Sequence, residues 1–166
     1  MQKHLIGGAI VFAAFFLCPA RAAAQNADAF MLVPNIQGES TDEQHRNWID
    51  VVSVAQSFDA ASKSSACGAQ VTKAFDKSGP PLWLAAVTGQ RFDEIRLEFV
   101  KPGEGQAQVR FYELRISNAR IAAIHSTPSS FVESLQIVGD AAALTYYPQS
   151  STGTPLPAVT ANVTCK

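Results

Sequence analysis

The sequence predicts one β-rich domain, a barrel or a sandwich, carrying a single short helix. Three observations lead there. "IRLEFV" (95–100) sets Ile95, Leu97 and Phe99 against Arg96 and Glu98, the period-two pattern of a half-buried antiparallel strand. Turn-rich stretches divide the rest into short β-branched and aromatic segments. Only the stretch "FDKSGPPLWLAAVTGQRF" (75–92) is punctuated as a helix.

The chain opens on "MQKHLIGGAIVFAAFFLCPARAAAQ", with a cationic start at Lys3 and an apolar run from Leu5 to Leu17. Ala22-Ala23-Ala24 then offers a small-residue cleavage site before Gln25. This is the pattern of a secretory signal peptide over residues 1–24, with an apolar run shorter than the ~20 residues of a membrane span. The expectation is an exported mature chain, 25–166, folded as one domain and periplasmic or secreted. Of 13 basic residues two, Lys3 and Arg21, lie in the leader, which leaves 11 against 14 acidic ones. That balance, with no basic run, argues against nucleic acid or an anionic membrane as partner. No stretch of the mature chain is long and apolar enough to span a bilayer. Cys67 and Cys165 remain after cleavage, and an isolated pair in an oxidising compartment is expected to form one disulfide.

The elements follow in order. "AFMLVPN" (29–35) reads as a strand stopped by Pro34, which cannot donate to a ladder. A polar turn-rich segment leads to a second strand, "WIDVVSVAQSF" (48–58), and a small polar loop holds Cys67. In the helix, Ser78 or Gly79 caps the start, Pro80-Pro81 occupy its first turn, and Gly89 supplies the stop. Leu82, Trp83, Ala86 and Val87 are spaced as its apolar face, with Trp83 the expected anchor. Residues 92–117 read as a hairpin around "KPGEGQ", with a change of apolar phase that suggests a bulge at Tyr112. "ARIAAIHS" and "ESLQIVGDAAALTYYPQ" add two or three strands bent at Gly139-Asp140, and the tail ends in a short strand.

Motifs of chemistry are missing from the sequence: it has no G-x-S-x-G, H-E-x-x-H, C-x-x-C or phosphate-cradling glycine pattern. His45 and His125 have no ligand-spaced neighbours; His45 reads as exposed and His125 as a strand-end residue. "ESTDE" (39–43) lacks the alternating ligands and central glycine of a calcium loop. Asp93, Glu94 and Glu98 are accounted for by an outer strand face. The expectation is a protein with no catalytic, cofactor or metal residues.

Several of these stretches, taken together, resemble the haemolysin-coregulated protein (Hcp) family, the tube subunit of type VI secretion. They are "AFMLVPNIQGEST", "HRNWIDVVSV", "VTKAFDKSGPPLWLAAVTGQRFDEIRLEFV", "VRFYELRISNARIAAIHS" and "FVESLQIVGDAAALTYYPQSSTGTP". The most specific piece is the helix motif D-K-x-x-P-x-L-W, carried by Asp76, Lys77, Pro80, Leu82 and Trp83. The resemblance implies a compact antiparallel β-barrel with one short α-helix on its side. It further implies a homo-hexameric ring with a channel, rings that stack, and effector proteins and other type VI secretion components as partners, with no cofactor and no reaction. It places the helix near a subunit boundary. The leader, the cysteine pair and the short segment "AQSFDAASKSSACGAQ" depart from the family pattern. They keep open a second expectation, an exported monomeric binding or adaptor barrel. An exposed aromatic surface would mark the ring, with Phe58, Tyr112, Tyr146 and Tyr147 as candidates.

Overall fold

The computed structural model describes residues 27–58, 67–103 and 108–165; the expected leader and its cleavage site at Ala24 and Gln25 lie outside them. Eight strands and one helix follow in chain order: β1 (Asp28–Leu32), β2 (Ile49–Ser57), β3 (Cys67–Ala74), α1 (Gly79–Thr88), β4 (Arg91–Pro102), β5 (Gln108–Thr127), β6 (Val132–Gly139), β7 (Ala141–Tyr146) and β8 (Val159–Thr164). All the strand pairs are antiparallel. The order β4-β1-β2-β3-β6-β5 closes on itself through the β4–β5 pairing, which makes a six-stranded barrel; β7 and β8 extend from β5 beyond the closure. Closure removes sheet edges, which is how an antiparallel protein of this size hides its unpaired backbone.

Alternation decides which side chains fill the barrel. In register across the sheet, Met31, Leu97, Leu114 and Leu144 form one inward row, and Ile95, Ile116 and Ala142 the next. Phe30, Glu98, Glu113 and Thr145 form the outward row beside the first of these, on the side away from the second. On the far wall Val71, Leu135 and Ile124 complete the core.

The expected hairpin is present, with its register shift between Phe99 and Val100: Phe99 pairs with Tyr112 and Val100 with Arg110. The extra residue of the bulge is therefore Phe111, one before the expected position. The two strands read on either side of residue 118 are one continuous 20-residue strand, β5. Asn118, at φ 49°, kinks it without ending it. There its partner on one edge passes from β7 (Ser117 with Ala141) to β6 (Arg120 with Val138). Gly139 makes this corner possible, because a Cβ there would lie 2.5 Å from Ile116 Cγ2 and 2.6 Å from the Ser117 carbonyl.

The segment written as a loop around Cys67 is in fact strand from that residue onward. Cys67, opposite Gly139, and Cys165, whose N–H donates to the Asp140 carbonyl, are joined by a disulfide. β3 and β8 thus meet end to end along the outer side of the bent β6–β7 strand, and the disulfide ties that junction.

Candidate assembly surface and the ion pairs behind it

The helix is short and depends on what it covers. Ser78 precedes its first turn without a side-chain cap, Pro80 and Pro81 occupy that turn, and Gly89 ends it in the left-handed conformation. Leu82 and Ala85 enter the core, with Ala86 packed beside them. Trp83 and Val87 do not, although helical spacing had grouped them with Leu82. The buried stripe is narrower than the apolar one, so Trp83, Leu84 and Val87 remain on the surface, Val87 at 81% exposure. The anchor of the helix is Leu82.

Beneath the helix start, Lys73 and Glu133 face each other across β3 and β6, on the faces that also carry Val71 and Leu135. Lys73 Nζ donates to Glu133 Oε2 and to Asp76 Oδ1, each at 2.8 Å. Trp83 Nε1 donates to Glu133 Oε1 at 3.2 Å, and Ser126 Oγ to the same oxygen at 3.3 Å. The Ser78 N–H and hydroxyl both donate to Asp76. Of the five motif residues, Asp76 and Trp83 join this network and Leu82 the core, while Lys77 and Pro80 are exposed. Glu133, the residue on which it converges, had no signature in the sequence. Two carboxylates around one buried ammonium are satisfied here by additional donors, the condition under which such a cluster is tolerated.

A second polar network occupies the outer face of β4 and β5. His45, expected to be exposed, is buried: its ring stacks on Phe30 at 4.2 Å with Trp48 at its edge. Its Nδ1 lies 2.7 Å from Asp42 Oδ1 and its Nε2 3.1 Å from Glu98 Oε2. Glu98 does point outward, as alternation requires, but segment 37–48 folds over it. Arg110 Nη1 bridges Glu98 at 2.8 Å and Glu113 at 2.9 Å, and Arg115 Nε donates to Glu113. Cross-strand neighbours are like-charged, Glu98 opposite Glu113 and Arg96 opposite Arg115, so each carboxylate is balanced by an arginine from an adjacent row. Burial pushes the Asp42 carboxyl up, but the hydrogen bonds from the His45 ring, from the His45 and Gln44 N–H groups, and the His45 charge outweigh it, leaving Asp42 below its ordinary range. The Glu113 hydrogen bond pushes Arg115 up against its partial burial.

Two exposed apolar regions stand apart in the fold. One surrounds the helix: Trp83, Leu84 and Val87, with Phe75 and Phe131 joined through the Phe75 N–H to Phe131 carbonyl bond. Phe131 is 74% exposed and held in the left-handed conformation at φ 55°, a costly state for an aromatic residue. The other lies on the β7–β8 extension, where Tyr146 and Val159 are opposite each other and Leu156 is nearby in the chain, all exposed. Among the described residues β8 pairs only with β7, and its outer edge "VTANVT" has no charge, proline or bulge to protect it. Of the four aromatic candidates, Phe58 and Tyr146 are exposed. Tyr112 packs on the core and donates to Gln56, and Tyr147 is half-buried beneath the Arg110 guanidinium.

A shallow groove of about 410 Å³ on the outer side of β3, β6 and β5 is lined by Gln70, His125, Ser134 and Gln136. Among the described residues no group of three His, Cys, Asp or Glu side chains is placed to hold a metal ion, and no helix is long and apolar enough to cross a membrane.

The sequence matches the family described as "Type VI secretion system effector, Hcp" over residues 30–146. Solved structures share the fold. Hcp1 from Salmonella typhimurium superposes with a TM-score of 0.69 at 19% identity, covering 83% of this chain and 94% of its own. A type VI secretion system effector from Yersinia pestis gives 0.64 at 21%, covering 82% and 99%. The secreted protein Hcp3 from Pseudomonas aeruginosa gives 0.65 at 15%, covering 86% and 99%. No curated protein matches the sequence.

Proposed function

The chain belongs to the Hcp family of type VI secretion, and from that premise we propose that it is a ring-forming structural subunit. In this reading six copies close around a channel that carries or shelters effector proteins, and the rings are able to stack. Support comes from the two apolar regions on different parts of the barrel, one around α1 and one on β7–β8. A cyclic ring joins two unlike patches, and a monomer has no use for both. The role is assembly and transport, with no reaction and no cofactor; other type VI secretion components are the further partners. The leader read over 1–24 directs the mature chain out of the cytoplasm, to the periplasm or beyond.

The Cys67–Cys165 bridge favours a second reading, an exported monomeric adaptor barrel, because it secures β8 within the subunit instead of leaving that task to a neighbour. Light scattering on oxidised residues 25–166, with negative-stain images of the same fraction, separates the two. A particle near six times the monomer mass with ring views supports the tube subunit. A monomer across a wide concentration range overturns it in favour of the adaptor.

A further inference from the structure

Segment 37–48 lies across the outer face of β1 and β4 as a small folded flap. It is held together by its own backbone bonds, Gly38 N–H to the Asn47 carbonyl at 2.8 Å, Ser40 N–H to Trp48 at 3.0 Å and Asn47 N–H to Ser40 at 2.9 Å. Its rim is held by the Lys77 N–H, which donates to Glu39 Oε1 at 3.3 Å, and its centre is fastened to the barrel by His45. One ring nitrogen meets Asp42 Oδ1 at 2.7 Å and the other meets Glu98 Oε2 at 3.1 Å, across 53 residues of sequence.

Both contacts are to carboxylate oxygens, and proton counting constrains them. A neutral imidazole has one N–H, so it can donate to only one of the two; its other nitrogen would turn a lone pair on a carboxylate lone pair. Asp42 Oδ1 also accepts the backbone N–H groups of Gln44 and His45, and Glu98 Oε1 accepts from Arg110, arrangements that suit the ionised carboxylates. The remaining proton therefore belongs on the ring. The other groups facing it are Phe30 from β1, stacked on one side, and Trp48 at its edge. Beyond Glu98 stand Arg96 of β4 and Arg110 and Glu113 of β5.

We propose that the flap is a proton-operated latch: closing it takes up one proton at His45, and losing that proton releases segment 37–48 from the outer face of the barrel. The sign follows from linkage. Closure is supported while both ring nitrogens carry protons, weakens as rising pH removes one of them, and changes about tenfold per pH unit where one proton is exchanged. This holds for a monomer or a ring and does not rest on the assembly reading.

The test is amide hydrogen exchange at Gly38, Ser40 and Asn47 from pH 5.5 to 9, corrected for intrinsic exchange, with ¹⁵N detection of the His45 ring. The wild-type protein is expected to show both ring nitrogens protonated at the acid end, with flap protection falling about tenfold per pH unit over part of the range. Glu98→Gln supplies an amide N–H to a neutral ring, so its flap is expected to stay closed with the pH dependence lost. His45→Gln, which cannot titrate, is expected to give a flat profile. A closed flap over a singly protonated ring at pH 5.5, or equal pH profiles in wild type and His45→Gln, overturns the proposal.

Discussion

Lys73 Nζ stands 2.8 Å from Glu133 Oε2 in a place water does not reach, with Lys73 at 0% and Glu133 at 1% exposure. The pair joins β3 to β6 and supports the first turn of the helix above it. Breaking it from one side strands a buried charge, which costs ~3–5 kcal/mol. Lys73→Met is therefore expected to destabilise by that order in urea unfolding. Adding Glu133→Gln is expected to recover part of the loss, because one of the two orphaned carboxylates is then neutral.

The same pair explains why residue 79 is glycine. A Cβ there would sit 2.9 Å from Glu133 Oε2, the far end of a side chain, whereas at Gly139 it would meet the Ser117 backbone carbonyl at 2.6 Å. Overpacking costs ~1–3 kcal/mol, more where backbone has to move. Thermal unfolding is expected to rank Gly139→Ala as the more damaging change and Gly79→Ala as the milder.

The disulfide closes a long loop, with 98 residues of sequence separation, and secures a strand that among the described residues pairs on one side only. Cys67→Ser with Cys165→Ser is expected to lower stability by ~2–4 kcal/mol, read from the guanidinium midpoint. Hydrogen exchange of the same variant is expected to show β8 losing protection before the barrel does.

Asp42 gives a separate acid dependence. Its carboxyl is held below the ordinary range in the folded chain, so it contributes stability above its unfolded value near 3.8, lost as the pH falls through the folded one. Asp42→Asn is expected to destabilise by about 1.5–3 kcal/mol at pH 7, the scale of hydrogen bonds to a charged group. The difference is expected to vanish in strong acid, where the wild-type carboxyl is also neutral.

The proposed ring can be tested without touching the fold. Val87 and Val159 are on the surface of the two apolar regions, so Val87→Asp or Val159→Asp is expected to leave the monomer's circular dichroism and melting unchanged. Each is expected to shift the light-scattering mass from ring to monomer.

The kinds of element are legible in local sequence pattern. Alternation in 95–100 and the Pro80-Pro81 start and Gly89 stop of the helix led to a β-rich domain with one helix, a barrel or a sandwich, because each signal is local; the resemblance of the ordered motifs to the Hcp family implied the barrel. The cysteine pair pointed to the covalent tie. Which side chains end up covered depends on long-range packing. His45 and Glu98 read as surface residues until segment 37–48 folded down, carrying His45 onto Phe30 and covering Glu98, and Trp83 read as an anchor until the buried stripe proved to be Leu82 and Ala85. Periodicity says which way a side chain points; it carries no record of the distant segment that will, or will not, lie on top of it. Lys73 and Glu133, 60 residues apart, acquire their meaning only where two strands and a helix start close around one ammonium.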